Sequence, residues 1–149
     1  MKKSINVVSL KLVKDKSIDY NIRPVRSPLN VVTLVKELIG EADREYVIVL
    51  NLNLKLEPNS VQICGIGSLS EAIIHPREIF KSAILSNSSS ILMVHSHPSG
   101  YVEPSKEDVL ITKRIRSAGE LLGIPLLDHI IIGQEKDFFS FAENGDLDE

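Results

Sequence analysis

Runs of branched apolar residues alternate along this chain with segments of helical periodicity, and this alternation restricts its fold more than any other feature. Residues 46–50 and 91–94 are almost continuously apolar, as expected of strands that are covered on both faces. The spacing of apolar residues between them predicts a helix from Pro76 to about Ser86, and a further helix follows over residues 105–122. Because strands and helices that alternate in this way stack as layers, the sequence predicts an α/β fold with a mixed sheet.

The remaining elements fit the same scheme. An earlier helix is expected to begin at Ser27 and Pro28, an N-cap followed by proline at the first helical position, and to end at Gly40. Further strands are predicted over residues 61–66, 126–132 and 138–141. At 149 residues and 43% hydrophobic composition the chain can bury one ordinary core, so we expect a single domain over residues 1–149.

Charge is concentrated at the two ends of the chain. Residues 1–26 carry seven basic and two acidic residues, a net charge of +5, whereas residues 134–149 carry one basic and six acidic residues, a net charge of −5. Val8, Leu10 and Leu12 alternate with polar residues, which predicts a strand with one solvated face in the basic region. The basic N-terminal region fits a solvated strand edge, and the acidic C-terminal region fits a polar tail. The alternative is an electrostatic contact between two chains, or an acidic partner that binds the N-terminus.

Composition excludes several classes of protein. The isoelectric point of about 5.8 lies well below the value of about 9 that marks a dedicated nucleic-acid domain, so nucleic-acid binding is expected to be weak at most. Cys64 is the single cysteine, which excludes an internal disulfide framework and a zinc site built from several thiolates. No segment approaches the roughly 18 apolar residues of a membrane span. We therefore expect a cytoplasmic protein that does not contact membranes, with an acidic tail over residues 143–149.

The stretch most informative about chemistry is the run His-Ser-His-Pro-Ser-Gly over residues 95–100, at the end of a predicted strand. Residues two apart on a strand project from the same face, so His95 and His97 can reach one point while Ser96 points away. Asp108 falls in the first turn of the following helix and can bring its carboxylate to the same point. Two imidazoles and one carboxylate are a frequent ligand set for catalytic zinc, which keeps a fourth position for water.

A structural role alone would also explain the acidic residue. Ser105 and Asp108 have the spacing of a capping box, and an acidic residue in the first turn is favoured by the helix dipole. The two roles are compatible, because the Ser105 oxygen can accept a backbone N–H while its hydroxyl proton points elsewhere. The sequence therefore leaves both capping and metal binding open for Asp108.

The spacing of these residues resembles a known motif. His-Ser-His-Pro, followed by Ser105 and Asp108, is similar to the JAMM metalloprotease motif of MPN (JAB) domains. More narrowly, the region from about Arg44 to Gly145 resembles the bacterial RadC proteins. The matching segments are residues 76–80, 95–100, 104–105, 122–124 and 128–133. The chain departs from RadC proteins in two respects: the motif there more often reads His-Asn-His, and those proteins usually carry an N-terminal helix-hairpin-helix segment, which this sequence does not show.

The resemblance implies a fold, a cofactor and a role for each site residue. The implied fold is the α/β/α sandwich around a mixed sheet that the cytidine deaminases share, although deaminase chemistry needs more cysteines than the one present here. Zn²⁺ would be bound by His95, His97 and Asp108. Glu45 stands before a predicted strand, where a solvated surface residue is otherwise expected, and the resemblance makes it the proton carrier. Ser105 would donate a hydrogen bond to the developing oxyanion.

Two functions are compatible with this pattern. The first is a zinc-dependent, RadC-like metallopeptidase, a hydrolase of amide or isopeptide bonds in a peptide or protein substrate. The alternative is a noncatalytic RadC-type interaction module in DNA repair or maintenance, with the basic N-terminus as its binding element. Asp128-His129 is interpreted as a partner that orients a metal ligand, or as packing. The sequence leaves the substrate and the oligomeric state open, a homodimer included.

Overall fold

The computed structural model of the chain describes residues 1–21, 24–67 and 74–147. The helices are α1 (Pro28–Ile39), α2 (Pro76–Leu85) and α3 (Lys106–Leu122). The strands are β1 (Tyr46–Leu52), β2 (Pro58–Ile66), β3 (Ser90–Ser96), β4 (Leu126–Ile132) and β5 (Phe138–Ser140). Each of these elements was predicted from the sequence, and their ends differ from the predicted ends by a few residues.

The five strands form one mixed sheet in the order β2-β1-β3-β4-β5. β3 and β4 are parallel, and the other neighbouring pairs are antiparallel. Because β3 and β4 run in the same direction, their carboxyl ends meet at one edge of the sheet. The antiparallel β1 begins at that edge, where Val47 lies opposite His95. The residues that precede β1 and those that follow β3 and β4 are therefore neighbours.

Helices cover both faces of the sheet, which confirms the predicted α/β fold and its sandwich architecture. On one face α1 buries Val31, Val32 and Val35 against a cluster from β1, β3 and β4. On the other face α2 and α3 cover a second cluster, in which Phe80 and Ile115 are fully buried. Each sheet face thus removes its own apolar surface from water, as a three-layer domain requires.

The ends of α1 follow from its sequence. The Ser27 hydroxyl accepts the Asn30 N–H at 3.3 Å, and Pro28 occupies the first helical position, where its missing N–H costs no hydrogen bond. Gly40 ends the helix with φ of 65°, a conformation that favours glycine. Within the described ranges no helix is long and apolar enough to cross a membrane.

The strand predicted around Val8, Leu10 and Leu12 is wrong. Residues 1–20 contain no helix or strand, and these three side chains are 74%, 79% and 46% exposed. A two-residue period only gives a segment one apolar face, whereas a strand also needs a neighbour to pair its N–H and C=O groups. No strand of the described sheet pairs with this segment. Contact with the core begins at Ile18 and Tyr20, which pack on the α1 side.

Candidate metal centre

The two histidines of the motif lie at the carboxyl end of β3. His95 is within the strand and 1% exposed, and His97 follows it, with its N–H donated to the Ile132 carbonyl at 2.8 Å. Their rings meet edge to face, with centroids 4.6 Å apart. His95 is on the same face as Met93, the face that α2 and α3 cover. The sheet therefore presents both imidazoles to the first turn of α3.

A hydrogen bond fixes which nitrogen of His97 is available. Its Nδ1 lies 2.7 Å from the Tyr101 carbonyl oxygen. A carbonyl only accepts, so Nδ1 carries the proton and donates, and Nε2 of the neutral ring keeps a lone pair. That Nε2 atom lies 3.6 Å from Oδ2 of Asp108. Histidines that bind metals are commonly oriented in this way through the second nitrogen.

Asp108 comes to this point from the first turn of α3. It is fully buried, and a capping box is present: the Ser105 hydroxyl accepts the Asp108 N–H at 3.1 Å, and the Ser105 N–H donates to Asp108 Oδ2 at 2.7 Å. The Ser105 hydroxyl also donates to Oδ2, at 2.8 Å. The other oxygen, Oδ1, lies 3.2 Å from Nδ1 of His95 without hydrogen-bond geometry.

These three residues could hold a metal ion. One potential ligand atom from each of His95, His97 and Asp108 lies within 4.8 Å of the others. The nearest contacts are 3.2 Å from His95 Nδ1 to Asp108 Oδ1 and 3.6 Å from His97 Nε2 to Asp108 Oδ2. Within the described part of the chain, Asp108 Oδ1 and both ring nitrogens of His95 are buried without a hydrogen-bond partner. A cation at this point would satisfy groups that are otherwise costly to bury, so the residues fit a metal.

Burial and charge act differently on the three groups. Burial lowers the pKa of His95 in spite of the nearby Asp108 carboxylate, whereas contact with that carboxylate raises the pKa of His97. Burial acts to raise the pKa of Asp108, but contacts with the two imidazoles and with Ser105 outweigh it and hold the pKa far below its usual range. Asp108 is therefore an anion at neutral pH, and a neutral His95 beside it is suited to bind a cation.

Ser96 holds the segment that carries Glu45. Its hydroxyl accepts the Tyr46 N–H at 2.8 Å and donates to the Arg44 carbonyl at 3.1 Å, so it binds the peptide groups on both sides of Glu45. Glu45 also accepts the Gly67 N–H at its carbonyl, at 2.8 Å. The negative charge of Glu45 acts to raise the pKa of both motif histidines, which places its carboxylate within electrostatic range of the site.

His129, which the sequence suggests either orients a metal ligand or packs in the core, lies beside the site. His129 is fully buried on β4, and its ring lies 6.4 Å from that of His95, centroid to centroid. Its Nδ1 lies 2.6 Å from the hydroxyl of Thr112 on α3. Sequence reasoning missed Thr112 altogether. A threonine one turn after Asp108 on the inner face of the helix is the signal that could have pointed to it.

The fold and this cluster together define an α/β/α domain of the JAB type with a candidate metal centre. The family model described as RadC-like JAB domain matches residues 25–146, and the chain belongs to this family. It is 41% identical over 148 residues to the UPF0758 protein of Rubrobacter xylanophilus, covering 98% of this chain and 64% of that protein. Over 123 residues it is 43% identical to the UPF0758 protein of Methanosarcina mazei, covering 83% and 53% of the two chains. The relative in Desulforamulus reducens is 45% identical over 121 residues, which is 81% of this chain and 53% of its own length. The chain thus spans between about half and two thirds of these relatives.

Proposed function

We propose that this domain is a zinc-dependent hydrolase of amide or isopeptide bonds. The observation that carries the proposal is the convergence of two imidazoles and one buried carboxylate on a point within electrostatic range of Glu45. Three protein ligands leave one position of a tetrahedral ion for water, as in catalytic rather than structural zinc sites. We assign the role of general base to Glu45, whose charge acts on both histidines of the motif.

The residues would divide the reaction as follows. A bound zinc ion supplies a Lewis acid and makes water nucleophilic near neutral pH. Glu45 would accept a proton from the attacking water and return it to the leaving amine nitrogen, so that no net proton is consumed. Ser105 would donate to the substrate carbonyl oxygen as negative charge develops there. In the structure its hydroxyl proton is donated to Asp108, so this role requires that the proton be shared with the substrate.

Of the three candidate ligands, His97 is the most exposed, and it borders the loop after β3. The His97 side chain is 15% exposed, and the Tyr101 side chain beside it is 80% exposed. The backbone of this loop is fixed by bonds from the His97 ring to the Tyr101 carbonyl and from the Gly100 N–H to the His97 carbonyl. An extended peptide, or the lysine arm of an isopeptide, could reach the centre across this surface, whereas the buried His95 would stay dry.

Hydrolysis by metal-loaded protein tests the proposal. The untagged chain is stripped with a chelator, reloaded with one equivalent of zinc, and incubated with linear peptides and with peptides joined through a lysine side chain. The proposal predicts turnover that disappears on chelation and returns with zinc. A zinc-loaded protein that binds such peptides and cleaves none would favour a noncatalytic interaction module.

The exposed N-terminal segment favours a noncatalytic interaction module as a second candidate function. Residues 1–17 are exposed and include Lys2, Lys3, Lys11, Lys14 and Lys16. An exposed row of cations could contact phosphates without any contribution from the metal centre. DNA binding that depends on this segment and not on zinc would support the second candidate.

A further inference from the structure

The buried polar group next to the candidate centre is His129, which the proposed reaction does not use. It lies on β4 opposite Met93 of β3, on the sheet face that α3 covers. Its ring stacks on Phe141 with centroids 4.8 Å apart and planes within 2°. Burial, with a smaller contribution from the neighbouring His95, lowers the pKa of His129 to about 3, so the ring is neutral. Burial of a polar ring costs desolvation free energy that an apolar side chain such as leucine would not, so its hydrogen bonds must offset this cost.

The direction of two hydrogen bonds fixes the tautomer of this ring. The Thr112 hydroxyl lies 2.6 Å from the Asp108 carbonyl oxygen and 2.6 Å from His129 Nδ1. The carbonyl can only accept, so the hydroxyl proton is donated to it. The Thr112 oxygen must then accept from His129, which places the proton of His129 on Nδ1. The Nε2 atom is left unprotonated, and within the described residues it has no hydrogen-bond partner.

This chain of bonds joins the sheet to the backbone of a candidate ligand. His95 lies in β3 and His97 directly follows it, whereas Asp108 lies in α3, and the loop between His97 and α3 contains no helix or strand. The separation of the ligands therefore depends on how the first turns of α3 are attached to the sheet. The bond from His129 to Thr112 is such an attachment, one helical turn beyond Asp108. The same Thr112 hydroxyl donates to the Asp108 carbonyl, so the attachment extends to the main chain of Asp108.

We propose that His129 is a positioning residue, which holds Asp108 at metal-binding distance from the histidines through the Thr112 hydroxyl. The Ser105 cap fixes the carboxylate end of Asp108, and the Thr112 bond fixes its main chain. Partners beyond the ligands commonly change metal affinity by about 10- to 100-fold. The inference rests on the proposed function, since it concerns the metal that this function requires.

The first test needs no metal. In metal-free protein, ¹⁵N spectra of the imidazoles should show His129 protonated at Nδ1 and unprotonated at Nε2 near neutral pH. The inference also predicts that Thr112→Val removes the characteristic downfield Nδ1 proton signal of that ring. A ring protonated at Nε2 and not at Nδ1 would overturn the inference, because Nδ1 could not then donate to Thr112.

The second test measures zinc affinity by competition with a chromophoric chelator. Thr112→Val keeps the shape of the side chain and removes the hydroxyl, and it should bind zinc about tenfold more weakly. Thr33→Val is the matched control, because Thr33 makes the same kind of bond to its own helix, 2.9 Å to the Leu29 carbonyl, on exposed α1 surface. Its affinity should equal that of the wild type.

His129→Asn tests the other end of the bond. An asparagine amide can place an N–H donor near the position of Nδ1, so this variant should keep more zinc affinity than Thr112→Val. The double variant should lose less affinity than the sum of the two single losses, because both act through one chain of bonds. Zinc affinity that is unchanged in Thr112→Val, with wild-type protein binding zinc normally, would overturn the inference alone. Absence of zinc binding by the wild type would overturn the proposed function and this inference with it.

Discussion

Ser105 donates from both its main-chain N–H and its hydroxyl to a single oxygen, Oδ2, of Asp108, at 2.7 and 2.8 Å. The cap therefore uses one carboxylate oxygen and leaves Oδ1 beside His95. The sequence leaves capping and metal binding both open for Asp108 and makes them compatible. In the structure the cap uses Oδ2, whereas the buried Oδ1 has no hydrogen-bond partner and stays available to a cation. The cap also aims the carboxylate, since two donors on Oδ2 restrict its rotation.

Removal of the Ser105 hydroxyl should affect both stability and metal binding. We expect Ser105→Ala to lower the free energy of unfolding by about 1 kcal/mol through loss of the N-cap and to weaken zinc binding. Ser27→Ala is a matched control, because the Ser27 hydroxyl also accepts a backbone N–H at the start of its helix, α1. Ser27 is distant in sequence from the three candidate ligands. This variant should lower stability similarly and leave zinc affinity unchanged. Urea unfolding and zinc competition on both variants would show whether the two effects separate, and equal zinc affinity in Ser105→Ala and wild type would contradict the account.

The ligand set predicts one zinc per chain. His97→Ala should lower the measured stoichiometry strongly, because the two remaining ligands hold an ion poorly. His75→Ala serves as a control, since His75 caps α2 and does not belong to the metal-binding group. Elemental analysis of protein purified without a chelator or a polyhistidine tag gives the stoichiometry. Full occupancy in a His95→Ala, His97→Ala double variant would place the metal elsewhere.

Burial of neutral His129 predicts a pH dependence of stability in the metal-free protein. Its pKa is lowered from 6.5 to about 3 in the folded chain, mainly by burial. Between these values the unfolded chain binds a proton that the folded chain does not, so stability is complete above pH 6.5 and falls as pH drops toward 3. The slope from this one group is at most about 1.4 kcal/mol per pH unit. His129→Asn should have a shallower profile in urea unfolding between pH 6.5 and 4.5 with a chelator present. Parallel profiles for the two proteins would show that His129 titrates normally.

DNA binding is expected to be weak and strongly salt-sensitive. The net charge of +5 over residues 1–26 is offset by acidic residues elsewhere, so few phosphates can be neutralised. We expect dissociation constants of roughly micromolar or weaker at physiological salt, as for nonspecific binding. Deletion of residues 1–16 should abolish even this, without disturbing the core, because these residues are exposed. Fluorescence anisotropy with labelled duplex DNA measures the effect, and nanomolar binding that survives the deletion would contradict it.

The sequence was sufficient for the parts of this molecule that depend on local pattern. The period of apolar residues predicted α1 to α3 and the five strands, and the two-residue spacing of His95 and His97 predicted that they share a face. The N-terminal strand failed because pairing depends on a neighbour that the local pattern cannot supply. The bonds of Ser96 to residues 44 and 46 cross about fifty positions of chain, so only the folded sheet reveals them.

We assign proton transfer to Glu45 and metal binding to His95, His97 and Asp108. Glu45→Gln keeps the size of the side chain and removes the base, so zinc content should be unchanged while hydrolysis falls by about 10² to 10⁴-fold. Asp108→Asn is the contrasting variant and should weaken zinc binding, because it removes the anionic ligand. An unchanged KM with a lower kcat would indicate that Glu45 acts in the chemical step.

The most direct measurement is therefore zinc content and turnover of an isopeptide substrate on the same preparations of wild type and Glu45→Gln. We expect one zinc per chain in both proteins and hydrolysis that is about 10² to 10⁴-fold slower in Glu45→Gln. Full activity of zinc-loaded Glu45→Gln would contradict the assigned base, and loss of zinc from that variant would make Glu45 a ligand.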